Sequence, residues 1–471
     1  MRAGQDGKGK HKRSGAFNRD PGFPGDKGTR TRWPQFAPRL GLAWDVRGDG
    51  RTSVRASYAY SYNFVNGQWR EDTVGSAPWG NRTSLQSVPL EDPWRDFPGG
   101  NPFPLSYGPD ARFSAYSNMQ SMPFDVRTPA TSSWNLSIQR QIATDWLLSA
   151  SYLGTETAHI WSQKPINPAI YFPGGPCTLG GVIYNTCSTT ANTNQRRRFS
   201  IERPQDGQFM AYVSDTDDGS NMSYNGMLLS IERRAARGLT FNANYTWSHC
   251  VADYADLNSV GPAADETYSD PTNRRADRGD CISERRQVFN LTGVAETPQF
   301  ANATLRTLAT GWRLSGIYKL SSGSPFTIIT GSDRSLTGTG LGSASNQRAN
   351  QVLADPYGDK SARPLTNYLN SAAFALPALG TVGTIGRNSI RGPRTWSFDT
   401  ALSRVFRVHE TERLEVRVEA YNITNSFRPG SLATQGSSGS GAYLSLASNT
   451  LGQVRNALDP RILQFAMKYI F

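Results

Sequence analysis

Hydrophobic and polar positions alternate with period two in a series of short runs separated by connections. Leu40, Leu42, Trp44 and Val46 share one face, and Arg47-Gly48-Asp49-Gly50 leads into Val54, Ala56, Tyr58, Tyr60 and Tyr62, which predicts a hairpin. Trp134, Leu136 and Ile138 alternate with Asn135, Ser137 and Gln139, then turn at Ala143-Thr144 into Trp146, Leu148, Ala150 and Tyr152. Met227, Leu229 and Ile231 turn through Arg237-Gly238 into Phe241, Ala243, Tyr245 and Trp247, backed by Asn242, Asn244, Thr246 and Ser248. A less regular run at 287–296 precedes Trp312, Leu314, Gly316, Tyr318 and Leu320. Trp396, Phe398 and Leu402 turn at Val408-His409-Glu410 into Leu414, Val416, Val418 and Ala420, whose neighbours Arg413, Glu415, Arg417 and Glu419 are all charged. A strand sends successive side chains to opposite faces, so each run predicts one apolar and one polar face.

The chain ends on the same pattern. Leu463, Phe465, Met467, Tyr469 and the terminal Phe471 oppose Gln464, Ala466 and Lys468. A last strand closing on Phe resembles the signal by which the barrel-assembly machinery recognises outer-membrane barrels; an ordinary core strand is the alternative. Between strands, connections are short and long in turn, the long ones covering about 63–131, 156–222, 250–286, 322–394 and 424–459. Compact soluble domains rarely hold structureless connections of such length, whereas bacterial barrels have short periplasmic turns and long extracellular loops. The predicted fold is all-β: an antiparallel transmembrane β-barrel with eleven or twelve strands visible. Trp44, Trp134, Trp146, Trp247, Trp312 and Trp396, near the ends of apolar faces, favour aromatic girdles in outer-membrane lipid over a sandwich core. The charges at Arg413, Glu415, Arg417 and Glu419 are then expected to face the lumen. Single-chain bacterial barrels have even strand numbers, so further strands are expected upstream.

Composition narrows the class further. No run of eighteen apolar residues exists in the 471, which excludes transmembrane helices and leaves strands as the means of crossing. The net charge of +12 would raise nucleic acid as a partner. Its distribution argues against that. Residues 1–32, expected to be a disordered Gly-rich leader, hold nine Lys and Arg against three Asp, and the remaining cations are scattered and nearly all arginines. No secretory leader follows Met1, so one is expected upstream.

Candidate chemistry is sparse. Cys177 and Cys187 fall in one long loop, and Cys250 and Cys281 bracket another, which points to local disulfides in an oxidising compartment, with four unpaired thiols as the alternative. His11, His159, His249 and His409 lack metal-ligand spacing. Asp215-Thr216-Asp217-Asp218-Gly219 has its Gly one position early for a calcium loop and reads as a solvated acidic loop. The glycines at 338, 340 and 342 read as a flexible loop. Trp69, Trp79, Trp94, Tyr171 and Tyr212 would either pack the loops on one another or form a ligand surface. No arrangement of residues supports catalysis, a metal or a cofactor.

Several stretches resemble the barrel of TonB-dependent outer-membrane transporters, in particular the Oar-like group with a carboxypeptidase-regulatory-like domain. They are Phe36 to Asp45 with Gly48-Asp49-Gly50, Tyr224-Asn225-Gly226 through Trp247-Ser248, Arg286 to Asn290, Gly311 to Gly316 with Ser322 to Phe326, Arg417 to Asn422 with Asn425, and Leu463 to Phe471. The resemblance spans 33–471 in the family's order. It implies a roughly twenty-two-stranded plugged barrel, of which 33–471 would be the C-terminal part. Signal, regulatory-like domain, TonB-contacting box and plug are then expected upstream, so that contact with the TonB complex runs through them. The function implied is uptake or surface binding of a large extracellular ligand. A non-transporting adhesion barrel and a secreted soluble glycan-binding protein are the alternatives.

Overall fold

The computed structural model describes residues 35–63, 88–104, 113–123, 125–236, 238–253, 268–339, 347–359, 367–408, 411–430 and 444–471, with positions 67, 69, 73, 75, 80, 83 and 85. The basic leader, Trp79, the Gly-rich positions 340 and 342, His11, Arg237 and the tip residues His409 and Glu410 lie outside the described residues.

Eleven strands follow one another in a single antiparallel meander: β1 (Arg39–Asp45), β2 (Thr52–Tyr62), β3 (Ala130–Ala143), β4 (Trp146–Pro165), β5 (Met210–Ala236), β6 (Leu239–Ala252), β7 (Gln287–Glu296), β8 (Trp312–Ser321), β9 (Thr395–Arg407), β10 (Arg413–Tyr421) and β11 (Ile462–Ile470). Among the described residues the sheet is not closed, since β1 pairs only with β2 and β11 only with β10. Two short strands join its rim: Ser117–Ser121 runs parallel to β5, and Gly279–Asp280 pairs with β6.

The register lines the apolar positions up across the sheet. Trp44, Val54, Ile138, Ala150, Leu229, Tyr245, Phe289, Leu320 and Trp396 are successive cross-strand partners. One residue along, the row reads Ser53, Gln139, Ser149, Ser230, Asn244, Asn290, Lys319 and Ser397. That row bonds to itself, Ser149 Oγ to Ser230 Oγ at 2.6 Å and Asn290 Nδ2 to Asn244 Oδ1 at 3.0 Å. A one-residue slip would invert both faces, so the pattern fixes the register.

Among the described residues the apolar face has no protein cover. Leu42 is 59% exposed and Met467 72%. A soluble sandwich would place its core against this face. Here the largest buried cluster lies in the long connections instead: Phe326, Ile328, Leu369, Phe374, Ile385 and Ile390 from 322–394, with Val454 from the last connection.

Two sequence expectations are corrected. The connection expected at 156–222 is shorter, because β4 and β5 keep pairing past the apolar band, as in Ser162 with Asp217 and Lys164 with Asp215. The acidic stretch 215–218 is therefore strand, and the ladder continues there because its polar side chains find partners on neighbouring segments.

Candidate functional site

The extended tops of β4 and β5 carry a charged cavity of about 380 Å³ lined by Asp125, Arg127, Lys164, Asp215, Asp217 and Asp218 among others. Arg127 grips Asp218 with both arms of its fork, Nε to Oδ2 at 3.0 Å and Nη2 to Oδ1 at 3.1 Å, and its backbone amide adds a third bond at 2.7 Å. Trp161 fixes that segment by donating its indole N–H to the Arg127 carbonyl at 2.6 Å. Burial raises the Asp218 carboxyl, but the side-chain and backbone bonds from Arg127 outweigh it and hold the group below its ordinary value. Asp215 is the contrary case. Burial pushes it up, against the hydroxyl of Ser121 at 2.8 Å and the Thr216 amide.

Asp217 joins this cavity to the next loop. It accepts from Tyr268 Oη at 2.6 Å and from Arg274 Nη2 at 2.7 Å. The Arg274 guanidinium lies 5.6 Å from the centre of the Tyr268 ring. Burial and then the Asp217 contact push the buried Tyr268 phenol up to about 12, so at neutral pH it acts as a donor.

A second knot sits over β6. Arg391 bridges Asp280 and Glu284, Arg286 Nε meets Glu284 Oε1 at 3.1 Å, and His249 Nε2 lies 3.0 Å from Asp280 Oδ1. Three ligand-type residues thus converge, which the spacing of the histidines did not signal. The two guanidiniums already take the carboxylate oxygens, so the chemistry here is ion pairing. Cys250 is joined to Cys281 beside it, with Cα atoms 5.4 Å apart, and Asp277 pairs with Arg348 at 3.4 Å in the adjoining turn. Burial raises the Asp277 carboxyl, Arg348 and Ser269 opposing it.

The connection between β4 and β5 is stapled to that between β8 and β9 by two buried arginines. Arg196 donates to the carbonyls of Ile170 (2.7 Å), Thr189 (2.9 Å) and Leu336 (3.0 Å), and Arg197 to those of Asn167 (3.0 Å) and Gly338 (3.3 Å). Burial brings Arg197 down to about 10, which leaves it charged at neutral pH.

Cys177 and Cys187 are joined at the base of a small hairpin, Cα atoms 5.5 Å apart. Arg413, Glu415, Arg417 and Glu419 alternate with the apolar face of β10; Arg417 Nε meets Glu419 Oε1 at 3.1 Å, and Glu415 is the register partner of Lys468. Leu463, Phe465, Met467 and Tyr469 lie along the outer edge strand β11, with Phe471 just beyond. The loop aromatics pack: Trp69 against Trp161 at 5.7 Å, Trp94 against Phe97 at 5.1 Å, and Tyr212 buried. Sequence reading missed Arg127, Arg196, Arg197, Tyr268 and Arg391. Most of their partners lie far away in the chain, and only the run 196–198 marked itself as a charge cluster.

The model of the family described as an outer membrane beta barrel domain matches residues 4–464. No curated protein matches the chain. Among solved structures, the outer-membrane transporter YddB from Escherichia coli is similar at 10% identity and a TM-score of 0.47, over 92% of this chain and 40% of that one. The ferripyoverdine receptor of Pseudomonas aeruginosa is similar at 11% identity and 0.40, over 93% and 33%. The siderophore receptor PirA from Acinetobacter baumannii is similar at 8% and 0.38, over 93% and 41%. The chain thus spans 33–41% of the length of these structures.

Proposed function

The chain belongs to the outer membrane beta barrel domain family, and from that premise we propose that it is the C-terminal barrel part of a TonB-dependent receptor of the Oar-like kind. Its place is the bacterial outer membrane, which removes the secreted soluble reading. The uncovered apolar face then meets lipid and the polar row lines the lumen, with Arg413, Glu415, Arg417 and Glu419 on that luminal side. Leu463 to Phe471 is read as the assembly signal, and both open sheet edges accept further strands of a larger barrel. Energy would come through TonB contacts made by upstream segments.

The observation that carries this reading is the asymmetry of the two ends. At one end most strands join through tight turns, as where the Asp45 carboxylate accepts the amides of Gly48 (3.0 Å) and Gly50 (2.8 Å). At the other, long connections form a cap with its own buried cluster and a charged cavity. Such a cap is built to hold a polar ligand, and no catalytic step is needed to account for it. The same cap would serve adhesion without transport.

Cross-linking in living cells separates the two readings. The intact protein is expected to form an adduct with TonB. No adduct, under conditions where another TonB-dependent transporter of the same cells forms one, would overturn energised transport and leave the adhesion barrel.

A further inference from the structure

The connection between β7 and β8, on the short-turn side, contains the helix Ala303–Ala309. Asn302 caps it, its side chain accepting from the amides of Thr304 (2.9 Å) and Leu305 (3.2 Å). Leu305 and Leu308, three apart and hence on one face, are 49% and 64% exposed. Arg306 and Thr307 occupy the other face. In water this apolar stripe would have no partner.

The helix is tied to a particular side of the sheet. Trp312 donates its indole N–H to the Leu308 carbonyl at 2.9 Å, and Arg404 donates to the carbonyl of Thr307. Trp312 and Arg404 are register partners on the apolar face, two residues from Leu314 and Leu402. The Arg404 guanidinium lies 5.3 Å from the Trp312 ring and 4.6 Å from Phe406, also on that face. The stripe is therefore continuous with the apolar band, at the edge that the function proposed above, on which this inference rests, places in the periplasm. Trp at the interface and an Arg whose stem lies along apolar surface are what a boundary between headgroups and acyl chains favours.

We propose that Ala303–Ala309 is an interfacial anchor, with Leu305 and Leu308 inserted in the phospholipid of the periplasmic leaflet. A short amphipathic helix lying in the interface plane gains from the apolar area it buries and keeps its polar face to the headgroups. Here the sheet holds the helix in place, so it need not be stable alone.

The test is the full chain in phosphatidylethanolamine and phosphatidylglycerol vesicles, with the fluorophore NBD on Leu308→Cys, on Thr307→Cys and, as a reference inside the band, on Leu402→Cys. The label at 308 is expected to emit to the blue of that at 307. Lipids spin-labelled near the headgroup should quench it more than iodide does, and it should lie shallower than the label at 402. Adding Leu305→Asp should move it towards water. A label at 308 that iodide quenches as readily as one at 307, while 402 is quenched from the lipid, overturns the proposal. Leu305→Cys gives the same reading if Leu308→Cys does not fold.

Discussion

Trp134 and Gly154 are cross-strand partners, and the indole fills the space where a side chain on Gly154 would stand. A Gly154→Val variant must displace that ring and is expected to lose about 1–3 kcal/mol, read from urea unfolding in lipid vesicles. Gly293 is the contrast, because the nearest atom to an added Cβ there lies 3.7 Å away. Gly293→Ala should stay within about 0.5 kcal/mol. Equal losses at both sites would show that the indole is not the obstacle. The Arg127–Asp218 contact makes a pH-dependent prediction. The folded carboxyl titrates below the ordinary value of 3.8, so the unfolded chain binds its proton first as pH falls. Its contribution is full above that value and is lost as pH drops through the folded one. Protease resistance of the segment around 125–127 should fall on acidification below pH 3.8 and should be weakened at neutral pH in Arg127→Ala. A segment equally resistant across that range would show that the contact contributes nothing.

At the scale of elements, each strand's two faces should respond oppositely to charge. Val418 pairs with Leu402 and Phe465 on the apolar face. Val418→Arg is expected to cost about 2–4 kcal/mol near the middle of the bilayer, while Arg417→Leu on the other face should cost well under half of that, both measured by vesicle unfolding. The reverse order would place the lumen on the wrong side of the sheet. The disulfide between Cys250 and Cys281 closes a loop of sequence separation 31. Loop-closure entropy puts its worth at about 4 kcal/mol. Removing both thiols should therefore expose 268–286 to protease on intact cells while leaving β6 and β7 paired.

At the scale of the whole molecule, the two ends should differ in access. A membrane-impermeant maleimide applied to intact cells should label Val382→Cys, at an exposed position in the cap, and not Asp49→Cys in the β1–β2 turn. Labelling of the second alone would invert the topology. The cap is also expected to behave as one body, because the buried guanidiniums of Arg196 and Arg197 tie 166–198 to 336–338.

The eleven strands, their order and the faces of Leu42, Tyr245 or Val418 were legible in the sequence, because a period-two pattern is local and one uncovered face demands lipid. The tight connections between β1 and β2 and between β3 and β4 were legible from the break in that alternation. What sequence could not show was where strands stop once they leave the bilayer: β4 and β5 run on because Asp215, Asp217 and Asp218 find Ser121, Tyr268, Arg274 and Arg127. Those partners are brought together by loops whose polar pairing follows no period. The charged cavity, the His249–Asp280–Glu284 knot and the seat of the helix Ala303–Ala309 on the apolar face were likewise decided only by tertiary structure, since each rests on contacts between residues that no local pattern links.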